Sequence, residues 1–384
     1  MAPPTPGNSG RLLDFRSDTV TRPTDAMRHA AFEAEVGDDV YGEDPTVNRL
    51  QEYAAKIMGK EAALLVPTGT MGNLSAVLAH CPERGTEVLL GDNCHIYNYE
   101  GGGISALGGL AFHVLHNEPN GEILLDNLQA AIRPDDAHCS HTGLVCLESS
   151  HNRCGGTVLS LEYMATVKKW ADSLGIPVHL DGARVFNAAE ALGVSVGSIA
   201  AHVTTIQFCL SKGMGAPIGS MVAGPKDVIA RARKYRKMLG GGMRQAGIIA
   251  APGMVALKET LTQLPKDHAN ARNLAEGLAK LPLVSINLDT VETNIIIFEL
   301  KPGAPDKAVF LRNLRERHGV LMSGFLKGVR AVTHFDVTSE DCKYALLAVE
   351  ECLQLGELHS NGEMNGKAKQ ELHQNVNGSL KGYE

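Results

Sequence analysis

The feature that most constrains this chain is a pattern repeated through its middle: a short apolar run, a loop holding Gly, Asn or Asp, then a stretch with apolar residues three and four apart. The runs are Ala63 to Val66, Val88 to Leu90, Phe112 to Leu115, Leu144 to Glu148, Val178 to Asp181, Thr204 to Cys209 and Ser220 to Ala223. Runs this short and this apolar suit strands buried on both faces, and the amphipathic stretches between them suit the helices that cover a parallel sheet. Helices are predicted at Thr46 to Met58, Gly72 to His80, Leu125 to Ala131 and Leu161 to Leu174. The last carries Leu161, Ala165, Val167, Trp170, Ala171 and Leu174 on adjacent turns. The expected fold class is therefore α/β, a large domain around a seven-stranded, mostly parallel sheet covered on both sides.

A different alternation follows the helical stretch Gln245 to Leu264, with Pro265 as punctuation. It reads as a helix over Asn270 to Lys280, strands near Val284 to Leu288 and Asn294 to Leu300, and a helix over Asp306 to Arg317. This predicts an amino-terminal arm over 1–30, a large domain over 31–264 and a small C-terminal α+β domain over 265–358. The remainder, 359–384, is rich in Asn, Gly, Lys, Glu and Gln and is expected to be a disordered tail.

Composition narrows the partners. A formal charge of −7, with no long basic run, argues against nucleic acid. No apolar run approaches the roughly 20 residues that cross a bilayer. The eight cysteines form no CxxC pair, and the opening residues have neither an apolar signal core nor an Arg-rich transit pattern, so a reducing, cytoplasmic setting is expected. A small molecule is the expected partner.

Two strand ends carry the chemistry. Val178-His179-Leu180-Asp181-Gly182-Ala183-Arg184 and Gln207-Phe208-Cys209-Leu210-Ser211-Lys212-Gly213 each place an ionisable group just past a buried strand, at the carboxyl edge of a parallel sheet, where ligand crevices form. An acid and an amine meeting there are what pyridoxal 5'-phosphate (PLP) chemistry needs. The amine condenses with the cofactor's aldehyde, and the carboxylate keeps the pyridine nitrogen protonated so that the ring accepts electrons. A buried Asp–Lys ion pair is the plainer reading of the same two residues. Upstream, Val66-Pro67-Thr68-Gly69-Thr70-Met71-Gly72-Asn73 follows a strand and opens a helix, so its free N–H groups attract phosphate. Alone, it reads equally as a helix cap made by Thr68 or Thr70.

Further ordered segments make a resemblance specific. They are Phe15-Arg16-Ser17-Asp18-Thr19-Val20-Thr21, Gly37-Asp38-Asp39-Val40-Tyr41-Gly42-Glu43-Asp44-Pro45, His95-Ile96-Tyr97 with Glu100-Gly101-Gly102, and His151-Asn152-Arg153 with Gly155-Gly156. Later come Ala216-Pro217-Ile218-Gly219-Ser220 and Gly240-Gly241-Gly242-Met243-Arg244-Gln245. With the strand ends and the Thr68 to Asn73 loop, the chain from Asp14 to about Leu353 resembles a threonine aldolase of the low-specificity L-threonine and L-allo-threonine type. That places it in the β-eliminating-lyase group of fold type I PLP enzymes. The fold implied is aspartate-aminotransferase-like. The activity implied is retro-aldol cleavage of the Cα–Cβ bond of a β-hydroxy-α-amino acid, giving glycine and acetaldehyde, in a homodimer or homotetramer.

The resemblance also implies roles. Lys212 would carry the cofactor, Asp181 would bind its ring nitrogen, and Gly69, Thr70 and Ser211 would hold its phosphate. His95 would stack on the ring and contact the substrate hydroxyl, directly or through a water, as the base. Arg184 and Arg330 would grip the substrate carboxylate, with Ser17 as a third contact and Arg184 also beside the cofactor. Arg330 reads otherwise as part of a basic edge strand, and Glu100 either binds at the cofactor edge or braces its loop. Lys237 and Arg244 would reach a cofactor phosphate across a dimer interface, although Arg231 to Lys237 by itself reads as a solvated helix face. His138 and His141, in an exposed loop, are two candidates for a histidine near the substrate hydroxyl, and no metal is expected there. Another PLP β-lyase or racemase, a catalytically silent paralogue and an NAD(P) enzyme are the rival readings. The last is weakened because neither Gly101 to Gly103 nor Gly240 to Gly242 continues as a dinucleotide fingerprint.

Overall fold

A computed structural model of the chain describes residues 12–134 and 136–360. Its strands are β1 (Leu13–Asp14), β2 (Ala62–Val66), β3 (Glu87–Gly91), β4 (Ala111–Leu115), β5 (Thr142–Glu148), β6 (Val178–Asp181), β7 (Thr205–Cys209), β8 (Ser220–Gly224), β9 (Val284–Ser285), β10 (Ile295–Leu300), β11 (Val320–Leu321), β12 (Ser323–Phe325) and β13 (Gly328–Val332). The chain divides into two units, Thr21–Lys266 and, on either side of it, the residues before Thr21 together with those from Asp267 onward.

The first unit contains the expected seven-stranded sheet, in the order β2-β8-β7-β6-β5-β3-β4. Neighbours from β7 to β4 run parallel, and β8 alone is antiparallel to both β7 and β2. Val66 at the end of β2 pairs with Ser220, which pairs in turn with Cys209 at the end of β7. The ends of β2, β5, β6 and β7 therefore open on one edge of the sheet. The helix predicted from Gly72 begins earlier, at Gly69, because Thr68 Oγ1 caps it by accepting from Met71 N at 3.2 Å. The helices Asp25–Phe32, His95–Asn98, Gly103–Ala106, Val185–Leu192 and Val196–Ala200 escaped the periodicity reading, as did Ser339–Ser360, and the basic run read as a helix face lies in the helix Lys226–Met238.

In the second unit β1 pairs parallel with β11, and β12-β13-β10-β9 form an antiparallel sheet. Val332 N donates to Phe15 O at 2.8 Å, so residues 12–20 are stitched into this unit. Pro265 does not end a helix here. It lies in the first turn of the helix Leu264–Leu278, where its missing N–H would have had no partner in any case. The helix Ser339–Ser360 continues past His359, where a tail was expected to begin. Residues 361–384 of that expected tail lie outside the described residues.

Candidate functional site

The edge where β5, β6 and β7 end gathers a buried polar group. Asp181 closes β6, and its Oδ1 accepts from Ala183 N at 3.1 Å. Its Oδ2 accepts from Asn73 Nδ2 at 2.9 Å, and the same amide nitrogen donates to Glu100 Oε1 at 2.8 Å. Asn73 is on the first turns of the helix Gly69–His80, and Glu100 precedes a Gly-Gly turn with positive φ at Gly101 and Gly102. Glu100 Oε2 is buried with no hydrogen-bond partner. An acceptor-only oxygen left bare in a buried place favours an incoming donor.

His95 lies over this group. Its Nδ1 is 2.8 Å from Glu100 Oε1, and its backbone N–H donates to Glu148 Oε2 at 2.7 Å. Glu148 closes β5, and its other oxygen accepts from Asn152 N at 2.9 Å. Burial pulls the His95 pKa down, but the bond to Glu100 and the charges of Asp181, Glu100 and Glu148 outweigh it, and the net shift is upward. Burial pushes the Glu100 carboxyl above its ordinary pKa, against its bond to His95.

Lys212 follows the end of β7, half-buried. Its carbonyl accepts from Thr21 Oγ1 and from Gly215 N, both at 2.8 Å, while among the described residues nothing accepts from its ammonium. The helix start beside it is packed closely: a Cβ on Gly69 would sit 2.9 Å from Cys209 Sγ and 3.1 Å from Gln207 Nε2. With Met71 N used by the Thr68 cap, the N–H groups of Gly69 and Thr70 are the ones left to face an anion.

Of the other residues singled out from sequence, Ser211 is half-buried beside Lys212, and Arg184 is buried where β6 leads into the helix Val185–Leu192. Arg244 is exposed and donates to Asp38 Oδ2 at 2.8 Å. Lys237 is exposed, with its side chain lying against Gly242. The basic run before it is not the solvated face that periodicity suggested: Arg236 is 2% exposed and donates to Asp39 Oδ2 at 2.5 Å and Leu65 O at 2.7 Å. His138 and His141 are exposed, and His138 Nδ1 is 3.5 Å from Asp136 Oδ1. Ser17 and Arg330 belong to the other unit, where Arg330 lies in β13 and its guanidinium stacks 5.4 Å from the Phe325 ring centroid. Sequence reasoning quoted Asn73 within the helix-opening loop without giving it a role, and it passed over Glu148. Both reveal themselves only through partners far along the chain.

Potential ligand atoms of His95, Glu100 and Asp181 lie within 4.8 Å of one another, a spacing that would also suit a cation. Asn73 decides against that. Its N–H groups point at both carboxylates, and a cation placed between them would face the positive end of that amide. Oxygens that only accept suit a further N–H donor there. No helix among the described residues is long and apolar enough to cross a membrane.

Comparison with known proteins shows the family. The beta-eliminating lyase family matches residues 14–301. The chain is 47% identical over 346 residues to low-specificity L-threonine aldolase 1 of Arabidopsis thaliana, covering 89% of this chain and 97% of that one. It is 42% identical over 329 residues to the low specificity L-threonine aldolase of Escherichia coli K12, covering 86% and 96%. Among solved structures, a putative L-allo-threonine aldolase from Listeria monocytogenes superposes with a TM-score of 0.75 at 18% identity, covering 89% of this chain and 96% of that one. The Leishmania major threonine aldolase superposes with 0.74 at 17%, covering 89% and 99%. These structures share the fold.

Proposed function

The chain belongs to the beta-eliminating lyase family, and from that premise we propose that it is a PLP-dependent aldolase cleaving L-threonine and L-allo-threonine to glycine and acetaldehyde. The observation that carries the reading is the placement, at or just past the ends of adjacent strands β6 and β7, of a carboxylate that accepts from N–H donors and a lysine whose ammonium has no acceptor among the described residues. The group fits the residues present. Asp181 would take the ring nitrogen, Lys212 the aldehyde carbon, and the N–H groups of Gly69 and Thr70 with Ser211 the phosphate, while Glu100, whose Oε2 is buried without a partner, shares the Asn73 amide with Asp181. When bound, PLP supplies an electron sink for the pair left at Cα as the Cα–Cβ bond breaks.

The protein's own residues do the rest. Arg184, fixed where β6 leads into a helix, suits the planar substrate carboxylate, and holding it sets which bond at Cα aligns for cleavage. His95 is the base. Its Nδ1–H donates to Glu100, which leaves Nε2 as the acceptor, and the neighbouring carboxylates raise that nitrogen's proton affinity. Nε2 takes the β-hydroxyl proton, directly or through a water it orients.

The proposal extends to setting. Eight free cysteines suit a reducing, cytoplasmic compartment. A homodimer or homotetramer would cover Phe32, Tyr41 and Met238, which are 84%, 76% and 76% exposed. The exposed Lys237 and Arg244 would then reach a phosphate bound by the second copy.

The test is a visible spectrum of the PLP-loaded protein before and after L-allo-threonine, with aldehyde and keto acid assayed in the same sample. The expected result is a band from lysine-bound cofactor that changes on addition, with acetaldehyde and glycine formed, and no such band in Lys212→Ala. Keto acid in place of aldehyde would move the reaction to β-elimination. Normal turnover by Lys212→Ala would refute the assignment of the lysine.

A further inference from the structure

We propose that Asn73 is a positioning residue for the Asp181 carboxylate, and that its amide is kept in the required orientation by a buried hydrogen-bond chain through His179 and Thr205 to His80. The inference rests on the reading above, in which Asp181 meets the ring nitrogen of PLP.

The members are placed by the fold. His179 and Asp181 are two apart on β6, so their side chains leave the same face of the sheet. Thr205 of β7 is the register partner of His179. The helix Gly69–His80 supplies Asn73 near one end and His80 at the other. Asn73 Oδ1 lies 3.1 Å from His179 Nε2, His179 Nδ1 lies 2.9 Å from Thr205 Oγ1, and His80 Nε2 lies 2.9 Å from the same hydroxyl. Asn73, His179, Asp181 and Thr205 are all buried.

Donors and acceptors then fix a direction. The two N–H bonds of Asn73 Nδ2 go to Glu100 Oε1 and Asp181 Oδ2, which accept them. Asn73 Oδ1 must therefore accept, and His179 Nε2 carries a proton. Burial drives the His179 pKa down to about 4 and the His80 pKa down to about 3, so each ring is neutral and holds one proton. His179 Nδ1 is bare and accepts the Thr205 hydroxyl proton, and the Thr205 oxygen accepts from His80 Nε2–H. Moving the His179 proton to Nδ1 would favour the flipped amide, with Oδ1 aimed at two carboxylates. With Thr205 donating to Nδ1, the His179 proton stays on Nε2, that proton matches the amide orientation in which Oδ1 accepts, and the amide's N–H groups are left to hold Asp181.

The test uses the PLP-loaded protein with three substitutions. Thr205→Val keeps the β-branched shape and removes the hydroxyl, Thr205→Ser keeps the hydroxyl, and Asn73→Leu removes the amide at similar volume. The readouts are the dissociation constant for PLP and the 15N chemical shift of ring-labelled cofactor, which reports protonation of its nitrogen. Thr205→Val is expected to weaken binding by roughly tenfold, the effect of one buried hydrogen bond, and to move the shift toward the unprotonated ring. Thr205→Ser is expected to restore both readouts, and Asn73→Leu to change both further in the same direction. Wild-type shift and affinity in Thr205→Val, or in Asn73→Leu should the valine variant not fold, would overturn the inference while leaving the aldolase reading standing. Equal losses in the valine and serine variants would also overturn it, by tracing the effect to packing. A wild-type chain that takes up no PLP would sink the reading of Asp181 and this inference together.

Discussion

Replacing Gly69 by alanine probes the contact between the helix start and the end of β7. A Cβ there would lie 2.9 Å from Cys209 Sγ, 3.1 Å from Gln207 Nε2 and 3.6 Å from Gln207 Cδ. Comfortable non-bonded separations are about 3.5–4.0 Å, so the first helical turn must retreat by about half an ångström or Cys209 must move. Neither comes easily, because Cys209 is buried in the strand and its sulfur accepts from Gln207 Nε2 at 3.4 Å. Overpacking of this kind costs about 1–3 kcal/mol. The same displacement would shift the N–H groups of Gly69 and Thr70 relative to the loop carrying Lys212. Should that cost fall on cofactor binding, affinity drops roughly 5- to 150-fold, since about 1.4 kcal/mol is a factor of ten. The assay is titration of the cofactor-free chain with PLP, followed by its visible band, with melting temperatures recorded alongside. Gly324→Ala is the control: its Cβ would approach nothing closer than Leu311 Cδ1 at 3.6 Å, and a change within about 0.5 kcal/mol is expected. A Gly69→Ala chain that binds PLP and melts like wild type would refute the argument that this close approach positions the phosphate end of the site.

Glu100→Gln should lower the His95 pKa in the cofactor-free chain, because it removes the carboxylate that holds Nδ1; an imidazole titration by NMR that does not move would assign the upward shift to Asp181 and Glu148 alone. Asp39→Ala should cost about 3–5 kcal/mol by leaving the buried Arg236 guanidinium without its counter-ion, read by urea denaturation. A loss below about 1 kcal/mol would show that the Leu65 carbonyl suffices for that cation. Acid should destabilise the fold. His179 and His268 are depressed by burial to about 4 and His80 to about 3, so between about pH 6.5 and pH 4 the unfolded chain binds protons that the folded one refuses. Each such group contributes stability that is full above the unfolded pKa and falls by up to about 1.4 kcal/mol per pH unit below it. A melting temperature that stays level from about pH 6.5 to pH 4.5 would contradict the burial of these rings.

The sheet was legible because its strands are buried on both faces and so appear as short apolar runs, a signal local to each segment. Features that depend on distant partners were not. Arg236 belongs to a basic run that looks solvated until Asp39, 197 positions away, is seen beneath it. Pro265 looks like a stop unless the helix is known to begin beside it. Asn73 shows the limit best: it lies in a loop that sequence already tied to phosphate, yet its partners His179 and Asp181 are 106 and 108 positions distant. One signal was available. In Val178-His179-Leu180-Asp181 the polar residues alternate with apolar ones in a strand covered on both sides, so both polar side chains leave the same face and neither can be buried without a partner. Partners must then come from a neighbouring strand or from the helix that covers that face. The alternation by itself therefore implies an amide or hydroxyl waiting opposite it, and the structure supplies both, as Asn73 on the helix and Thr205 on the next strand.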